Sequence, residues 1–142
     1  MKDIIEINRK IVQPGFHNIT DDIICGLEKL LTSKKSLSGI LHLFCMHTSC
    51  ALLINESWDD TAKEDLEKFF NYLAPENLNF ICHTSEGADD SPAHMKTALL
   101  HQNLALMVDR GKLVLGRWQG IFLAEFRQAS HTRKVLLKFQ PD

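Results

Sequence analysis

The sequence of 142 residues has the composition of an ordinary globular protein, with 44% apolar and 24% charged residues. Its formal net charge of −2 at pH 7 offers no basic excess to neutralise phosphates, so we expect no nucleic-acid partner. No apolar run approaches the roughly 18 residues of a membrane span, and the first residues lack a signal-peptide core. We therefore expect one domain over residues 1–142, a cytoplasmic location and no membrane partner.

The first half of the chain alternates strand and helix signals. Pro14-Gly15 stops an opening strand, and the acidic pair Asp21-Asp22 suits the positive end of a helix dipole. Ser57 or Asp59 can cap a second helix. The elements predicted here are strands over residues 4–12, 39–50 and 51–55 and helices over residues 20–35 and 57–73.

The second half is richer in strand signals. Ser91 and Pro92 predict a helix N-cap followed by a first helical residue, and residues 109–112 predict a hairpin turn. The elements predicted here are strands over residues 79–83, 104–108, 112–115, 118–126 and 133–139 and a helix over residues 92–102. Seven or eight mostly antiparallel strands with three helices predict a single compact α+β domain.

The loop between the predicted strand and the third helix concentrates chemical groups. It holds two histidines, His83 and His94, and two neighbouring carboxylates, Asp89 and Asp90. Imidazole and carboxylate together suit zinc, manganese or iron, while carboxylates alone suit magnesium. The alternative is that the aspartates only charge-match the helix start and the histidines are packed or solvated. The spacing alone leaves both interpretations open.

Other polar groups lie at predicted strand ends. His47 stands beside two hydroxyl residues, and Asn55-Glu56 ends a strand, where capping is the simpler role. Trp118-Gln119 lies between glycines that predict a bulge or a close backbone approach. Glu125 and Arg127 form either an exposed ion pair or a site for an anion.

These motifs, in this order and at this spacing, resemble the YjbQ family, UPF0047, over essentially the whole chain. The segments that carry the resemblance are His47-Thr-Ser-Cys-Ala-Leu-Leu-Ile-Asn55-Glu56, Asp65-Leu66-Glu67, His83-x3-Gly87-x-Asp89-Asp90-x-Pro92-x-His94, Gly111-Lys-Leu-Val-Leu-Gly116-Arg-Trp118-Gln119-Gly120-Ile121 and Glu125-Phe-Arg127.

The resemblance implies a barrel-like or sandwiched sheet, a homotrimer, and an activity named secondary thiamine-phosphate synthase, which joins a pyrimidine diphosphate to a thiazole phosphate. It also implies a divalent metal, zinc or magnesium, and a small phosphorylated substrate. The expected roles are catalysis for His47, Glu56 and Arg127, substrate binding for Asn55, Trp118, Gln119 and Glu125, and metal binding for His83, Asp89, Asp90 and His94. Together these groups are expected to line one pocket.

The chain departs from the family pattern in three places. Arg117 stands where a threonine is usual, His101 stands in a segment that is usually Gly-Pro/Ser-Ser, and Cys50 replaces a small residue such as alanine. Arg117 and His101 put the substrate's identity in question. Two other functions stay open, a metal-dependent hydrolase that uses the same ligands, and a non-catalytic ligand-binding or assembly protein.

Overall fold

Eight strands and three helices make up the part of the chain that this computed structural model describes, residues 4–31 and 37–142. In chain order they are β1 (Ile5–Ile11), β2 (Gly15–Asn18), α1 (Thr20–Leu31), β3 (Gly39–Cys45), β4 (Cys50–Glu56), α2 (Asp60–Leu73), α3 (Asp90–Ala98), β5 (Asn103–Asp109), β6 (Lys112–Leu113), β7 (Gln119–Glu125) and β8 (His131–Pro141).

The strands form two antiparallel sheets. The larger one has the order β1-β8-β3-β5-β6, and the smaller one has the order β2-β7-β4. The larger sheet is a half-barrel, and the two sheets and the three helices form one domain. The predicted single α+β domain with a mostly antiparallel sheet is therefore confirmed.

The main core lies between α1 and the larger sheet. Ile23 and Leu27, one helical turn apart, are buried with Leu41 and Leu137 of the sheet. Gly26 lies on the same side of α1, where an added Cβ would stand 2.5 Å from Leu137 Cδ2. The absence of a side chain at this position lets the helix approach β8 closely.

A smaller aromatic core joins the second sheet to α2. Phe16 of β2 packs against Phe70 of α2 and Phe126 after β7, with ring centroids 5.7 and 6.0 Å apart. Phe70 is the buried residue of α2, while Phe69 and Tyr72 are exposed. This core fixes the end of β7 from which Glu125 and Arg127 project.

Three predicted elements differ from the structure. The strand predicted over 39–50 ends at Cys45, where the chain leaves the larger sheet, and residues 46–49 connect it to β4, which begins at Cys50 in the smaller sheet. Residues 79 and 80 form a turn and residues 81–83 have no regular structure, because no strand of the described chain pairs with this segment. The third helix covers Asp90–Ala98 instead of 92–102. His101 leaves the helix because its N–H donates to the Leu52 carbonyl, and the carbonyls of His101 and Gln102 accept from Leu52 N and Cys45 N.

The caps and the hairpin turn have mixed outcomes. Asp59 caps α2 by accepting from Thr61 N at 2.9 Å, as predicted. Ser91 is not the N-cap of α3, because the helix already begins with the bond from Ala93 N to Asp89 O. The hairpin at 109–112 is confirmed, with positive φ at Arg110 and Gly111 as a type I′ turn requires.

The predicted end of the first helix at 33–35 lies outside the described residues. Within those residues, no helix combines the length and the apolar content needed to cross a bilayer. The cysteines are free thiols: Cys45 and Cys50 are buried, whereas Cys25 and Cys82 are exposed.

Candidate functional site

His83, Asp90 and His94 come together at the start of α3. Asp90 and His94 are four residues apart and share one face of the helix, while His83 reaches them from the preceding loop. Asp90 Oδ2 lies 2.8 Å from His83 Nε2 and 3.4 Å from His94 Nε2. One ligand atom from each residue lies within 4.8 Å of the others, which is an arrangement that could hold a metal ion.

The buried carboxylate oxygen at the centre fits a cation. The Asp90 side chain is 3% exposed, and its Oδ2 accepts no hydrogen bond from the described part of the chain. His83 Nε2 and His94 Nε2 lie close to Oδ2, but neither forms a hydrogen bond to it. Since a buried, unsatisfied carboxylate oxygen is costly, a cation shared with the two imidazoles would compensate it.

The orientation of His94 is set by a backbone group. His94 Nδ1 lies 2.8 Å from the carbonyl oxygen of Thr48, in the connection between β3 and β4. A carbonyl can only accept, so Nδ1 carries the proton and donates it to Thr48. The lone pair of Nε2 therefore faces the centre, which is the arrangement typical of metal-binding histidines.

The Arg127 side chain, just after the end of β7, donates hydrogen bonds to both aspartates of the loop. Its guanidinium donates from Nε to Asp89 Oδ2 at 3.0 Å, from Nη1 to Asp90 Oδ1, and from Nη2 to the Glu86 carbonyl at 2.8 Å. Asp89 Oδ2 also accepts from Gln128 N at 2.8 Å. Arg127 thus holds Asp90 by one oxygen and leaves Oδ2 for the centre.

Asp89 lies outside the three-residue group, although it was expected to bind metal. Burial alone would raise the pKa of Asp89, but the Gln128 N–H and the Arg127 guanidinium outweigh it and lower that pKa below its ordinary value. The Asp89 carboxylate is ionised, and its Oδ2 accepts hydrogen bonds from both partners. Asp89 therefore orients Arg127.

Glu125 is buried in an ion pair that the sequence did not indicate. It is fully enclosed, and its carboxylate accepts from Arg133 Nε and Nη2 and from Arg127 N. Arg133 Nη2 also reaches Ser49 Oγ at 3.1 Å. Arg133 shares the inward face of β8 with Val135 and Leu137, and this period-two placement of an arginine among apolar residues was the signal that could have found it.

His47 lies near His94 but has its own partner. Its Nε2 accepts from the backbone N–H of Lys134 at 2.7 Å. Burial, followed by the charge of Arg133, lowers the pKa of His47 below its ordinary value. His47 and His94 both border an open depression of about 860 Å³, called here the His94 groove, whose other walls include Phe44, Met46 and Leu100.

The remaining expected site residues form a second cluster elsewhere. Asn55, Glu56, Trp118 and Gln119 border a separate cavity of about 560 Å³, together with Arg117. Cys50 pairs with Glu125 at one end of the β4–β7 ladder and Glu56 pairs with Gln119 at the other end. The ends are roughly 20 Å apart at about 3.4 Å per residue. Within one chain the two clusters therefore do not line a single pocket.

Local contacts account for several groups in the second cluster. Glu56 accepts from the backbone N–H groups of Trp58 and Asp59 ahead of α2. Gln119 Oε1 accepts from Gly116 N at 2.7 Å, and Asn55 Oδ1 accepts from Glu56 N at 2.7 Å. For Asn55 and Glu56 these are the turn and capping duties that the sequence left open as the simpler interpretation.

Two further motif positions lie outside both clusters. Asp65 is an exposed residue of α2 that faces Lys68 at 3.6 Å. His101, one of the departures from the family pattern, forms an isolated bridge with Leu52.

Comparison with known proteins supports the resemblance seen in the motifs. Residues 4–142 match the model of the family described as "UPF0047 protein YjbQ-like". The chain is 40% identical over 126 residues to the YjbQ protein of Escherichia coli O157:H7, covering 89% of this chain and 88% of that protein. It is 42% identical to the YjbQ protein of Salmonella typhimurium with the same coverage.

Solved structures agree with this assignment. A conserved hypothetical protein from Thermus thermophilus is 33% identical and superposes with a TM-score of 0.83, covering 96% of this chain and 99% of that one. An uncharacterized YjbQ/UPF0047 protein from Clostridium acetobutylicum is 28% identical, with the same TM-score and coverage. The chain belongs to the UPF0047 family of YjbQ-like proteins.

Proposed function

We propose that the chain is an enzyme for a small phosphorylated substrate, with a divalent cation held by His83, Asp90 and His94. The observation that carries the proposal is the buried Oδ2 of Asp90, which lies beside two imidazole nitrogens without accepting a hydrogen bond in the described chain. Two nitrogen ligands and one oxygen favour zinc over magnesium, which prefers oxygen alone.

Each residue would have a distinct task. A bound cation supplies polarisation of a phosphoryl oxygen and neutralises charge on a departing group. His83 is 52% exposed on its side chain, so this edge of the centre is open to substrate. Arg127 fixes Asp90, and Thr48 fixes the ring of His94. His47 would offer its Nδ1–H as a hydrogen-bond donor, because Nε2 accepts from Lys134 N and Nδ1 therefore carries the proton of the neutral ring.

The finer proposal is the reaction that the family resemblance implies. A transferase that joins a pyrimidine diphosphate to a thiazole phosphate must neutralise a leaving diphosphate, and a cation centre suits that demand. A metal-dependent hydrolase is the second candidate, supported by the same open edge at His83, through which water could enter. The synthase requires two organic substrates and the hydrolase one.

The first experiment measures metal in the purified protein by elemental analysis, before and after incubation with zinc and dialysis. We expect close to one zinc ion per chain, and a loss of tenfold or more in zinc affinity for His94→Ala and Asp90→Asn. His42→Ala, an exposed histidine on β3, is the matched control and should bind zinc normally. No zinc bound even when supplied would overturn the metal centre.

The second experiment separates the two reactions. The zinc-loaded protein is incubated with the pyrimidine diphosphate and the thiazole phosphate, together and singly, and the products are identified by mass spectrometry. Thiamine phosphate formed only from both precursors supports the synthase. Release of phosphate or diphosphate from one precursor alone supports the hydrolase, and an absence of turnover supports a non-catalytic binding protein.

The assembly is also a proposal. We expect the homotrimer that the resemblance implies, and a neighbouring copy is one route by which the two clusters of one chain could complete each other. The cytoplasmic location and the absence of nucleic-acid and membrane partners stay predictions.

A further inference from the structure

Two thiols face each other where the chain passes from the larger sheet to the smaller one. Cys45 is the last residue of β3 and Cys50 is the first residue of β4. Their Sγ atoms lie 3.9 Å apart, and the Cys45 thiol donates to the carbonyl oxygen of Cys50 at 3.5 Å. Both are free thiols in the core, 1% and 0% exposed. A disulfide bond is about 2.0 Å long, so an approach of about 2 Å would allow the two sulfur atoms to bond.

The two thiols differ in access and in acidity. Cys45 borders the His94 groove and Cys50 does not, so a small oxidant in the groove meets Cys45 first. The Cys45 thiolate can accept hydrogen bonds from the Cys50 thiol and the His47 N–H, which together outweigh burial and lower the pKa of Cys45. Hydrogen bonding to Cys45, followed by burial, raises the pKa of Cys50. Because the thiolate is the nucleophile, Cys45 is the sulfur that attacks an oxidant and Cys50 is the thiol that reacts next.

The residues between the two cysteines hold groups of the candidate site. The carbonyl of Thr48 accepts from His94 Nδ1 at 2.8 Å and thereby orients the imidazole at the centre. Ser49 Oγ accepts from Arg133 Nη2 at 3.1 Å. A disulfide would close a ring over residues 45–50 and draw the two ends of this connection together. A bond between the thiols would therefore move the acceptor that orients His94.

We propose that Cys45 and Cys50 form a redox-active dithiol, which a peroxide oxidises to a disulfide, and that this disulfide weakens cation binding by moving the Thr48 carbonyl away from His94. Formation of the disulfide is independent of the proposed function. The effect on the cation rests on that function, because it requires a cation at the candidate metal centre. Transient, redox-sensing disulfides are the kind that occurs in a reducing cytoplasm.

The oxidation transfers two electrons from the thiols to the peroxide. The Cys45 thiolate attacks one oxygen of hydrogen peroxide, the O–O bond breaks, hydroxide leaves, and Cys45 becomes a sulfenic acid. Cys50 then attacks the sulfur of this sulfenic acid, the S–O bond breaks, and the oxygen leaves as water with the proton of the Cys50 thiol. The hydroxide takes up the proton that Cys45 released, so two thiols and one peroxide give one disulfide and two water molecules.

The first test identifies the bond by mass spectrometry. The reduced protein is treated with hydrogen peroxide, denatured, alkylated with N-ethylmaleimide and digested with trypsin. Both cysteines fall in one tryptic peptide, between Lys35 and Lys63, so we expect this peptide to be unalkylated and two hydrogens lighter than its reduced form. Cys50→Ala should lose this product and yield a Cys45 sulfenic acid that dimedone traps. Cys25→Ser is the matched control and should keep the disulfide.

The exposed thiols of Cys25 and Cys82 report the strength of the treatment. If peroxide oxidises these two and leaves Cys45 and Cys50 both free for alkylation, the proposed dithiol is wrong. This result comes from the parent chain, so a folding defect in a variant cannot produce it.

The second test compares the zinc affinity of the reduced and the disulfide forms. We expect a loss of roughly tenfold or more on oxidation, reversed by a reducing phosphine, because a metal ligand binds less well when the group that orients it is displaced. Reduced Cys50→Ala should bind zinc like the reduced parent, since the thiols are not ligands of the centre. The same variant should retain its zinc affinity after peroxide treatment.

The outcomes separate this inference from the proposed function. A disulfide form with unchanged zinc affinity, or an equal loss of affinity in peroxide-treated Cys50→Ala, would overturn the effect on the centre and leave the proposed cation in place. An absence of zinc binding in both redox forms would overturn the proposed cation together with that effect. The mass spectrum decides the dithiol in either case.

Discussion

The two carboxylate oxygens of Asp90 have different surroundings. Arg127 compensates its Oδ1, while Oδ2 faces the histidines and has no hydrogen bond within the described chain. The side chains of Asp89, Asp90 and Arg127 are 15%, 3% and 12% exposed, and this one guanidinium contacts both carboxylates. Removing a partner from a buried charge pair is more costly than removing an exposed ion pair.

The first prediction concerns this guanidinium. Arg127→Met should lower the free energy of unfolding by about 3 kcal/mol, because it leaves two carboxylates without their partner. The matched control is Arg9→Met, which removes the exposed pair with Asp22 and should cost less than about 1 kcal/mol. Urea denaturation at pH 7 measures both changes. Equal losses for the two variants would contradict the proposed support of the centre by Arg127.

The second prediction follows from the pKa of His47. Burial and Arg133 lower this pKa below its ordinary value of about 6.5. As pH falls through about 6.5 the unfolded chain takes up the proton first, so the free energy of unfolding should decrease between pH 7 and pH 5. Protonation of Nε2 would also abolish its bond from Lys134 N.

NMR of the imidazole resonances checks this prediction directly. His47 should titrate below 6.5, and His47→Gln should reduce the slope of unfolding free energy against pH in the same range. A His47 resonance that titrates at or above 6.5 would show that burial does not govern this ring.

The helices illustrate how closely packing controls single positions. In α1, Gly26 faces Leu137, which is fully buried, so this side chain can move away from an added methyl group only by displacing its neighbours. The third prediction is that Gly26→Ala lowers the free energy of unfolding by about 1 kcal/mol. The gain of roughly 1 kcal/mol in helix propensity is outweighed by overpacking of about 1–3 kcal/mol.

A double variant tests whether Leu137 is the cause. Leu137→Val shortens the opposing side chain, so Gly26→Ala should be less destabilising in that background than in the parent chain. Chemical denaturation of the four proteins gives the coupling energy. A coupling of zero would mean that the helix propensity and some other contact account for the change.

The elements that sequence could predict are those with a strong local cause. The hairpin at Asp109–Lys112 needs only residues that tolerate positive φ, and α2 needs only Asp59 and a periodic apolar face. The strand expected over 79–83 has a short apolar run, yet a strand requires a neighbour, and within the described residues none pairs with this segment. Helix α3 is shorter than expected because residues 101 and 102 pair with strands distant in sequence.

The site was predictable to a similar extent. His83, Asp90 and His94 are brought together by one loop and one helical turn. Because these residues are close in sequence, their spacing alone could predict that they are neighbours. Arg133, the partner of Glu125, and the Thr48 carbonyl, the partner of His94, depend on chain crossings that local patterns do not contain. The expectation of a single pocket was not met within one chain, because Asn55 and Glu56 lie at the opposite end of β4 from Cys50.

At the scale of the whole molecule, the separation of the two clusters within one chain is consistent with an assembly of several copies of the chain. The fourth prediction is a native mass near three times the 16.2 kDa of one chain. If a neighbouring copy covers the second cluster, Trp118, which is 58% exposed in the single chain, should be protected there. Trp58, which is 79% exposed, provides the internal reference.

Sedimentation measures the mass, and acrylamide quenching measures the protection. Trp58→Phe leaves the fluorescence of Trp118, and Trp118→Phe leaves that of Trp58, since the chain contains two tryptophans. Quenching of Trp118 that is weaker than exposures of 58% and 79% in the single chain account for supports an interface at the second cluster. A monomeric mass together with equal quenching would contradict it.

The three candidate metal ligands lie within the stretch from His83 to His94, and this has a consequence for the order of folding. Closing so short a loop costs little chain entropy, so the unfolded chain can gather the same ligands around a cation. The groups that orient them, the Thr48 carbonyl and Arg127, come from distant segments. A cation could therefore bind the ligands of this loop before the rest of the chain folds. The increase in cation affinity on folding would then measure how much Thr48 and Arg127 improve the geometry of the ligands.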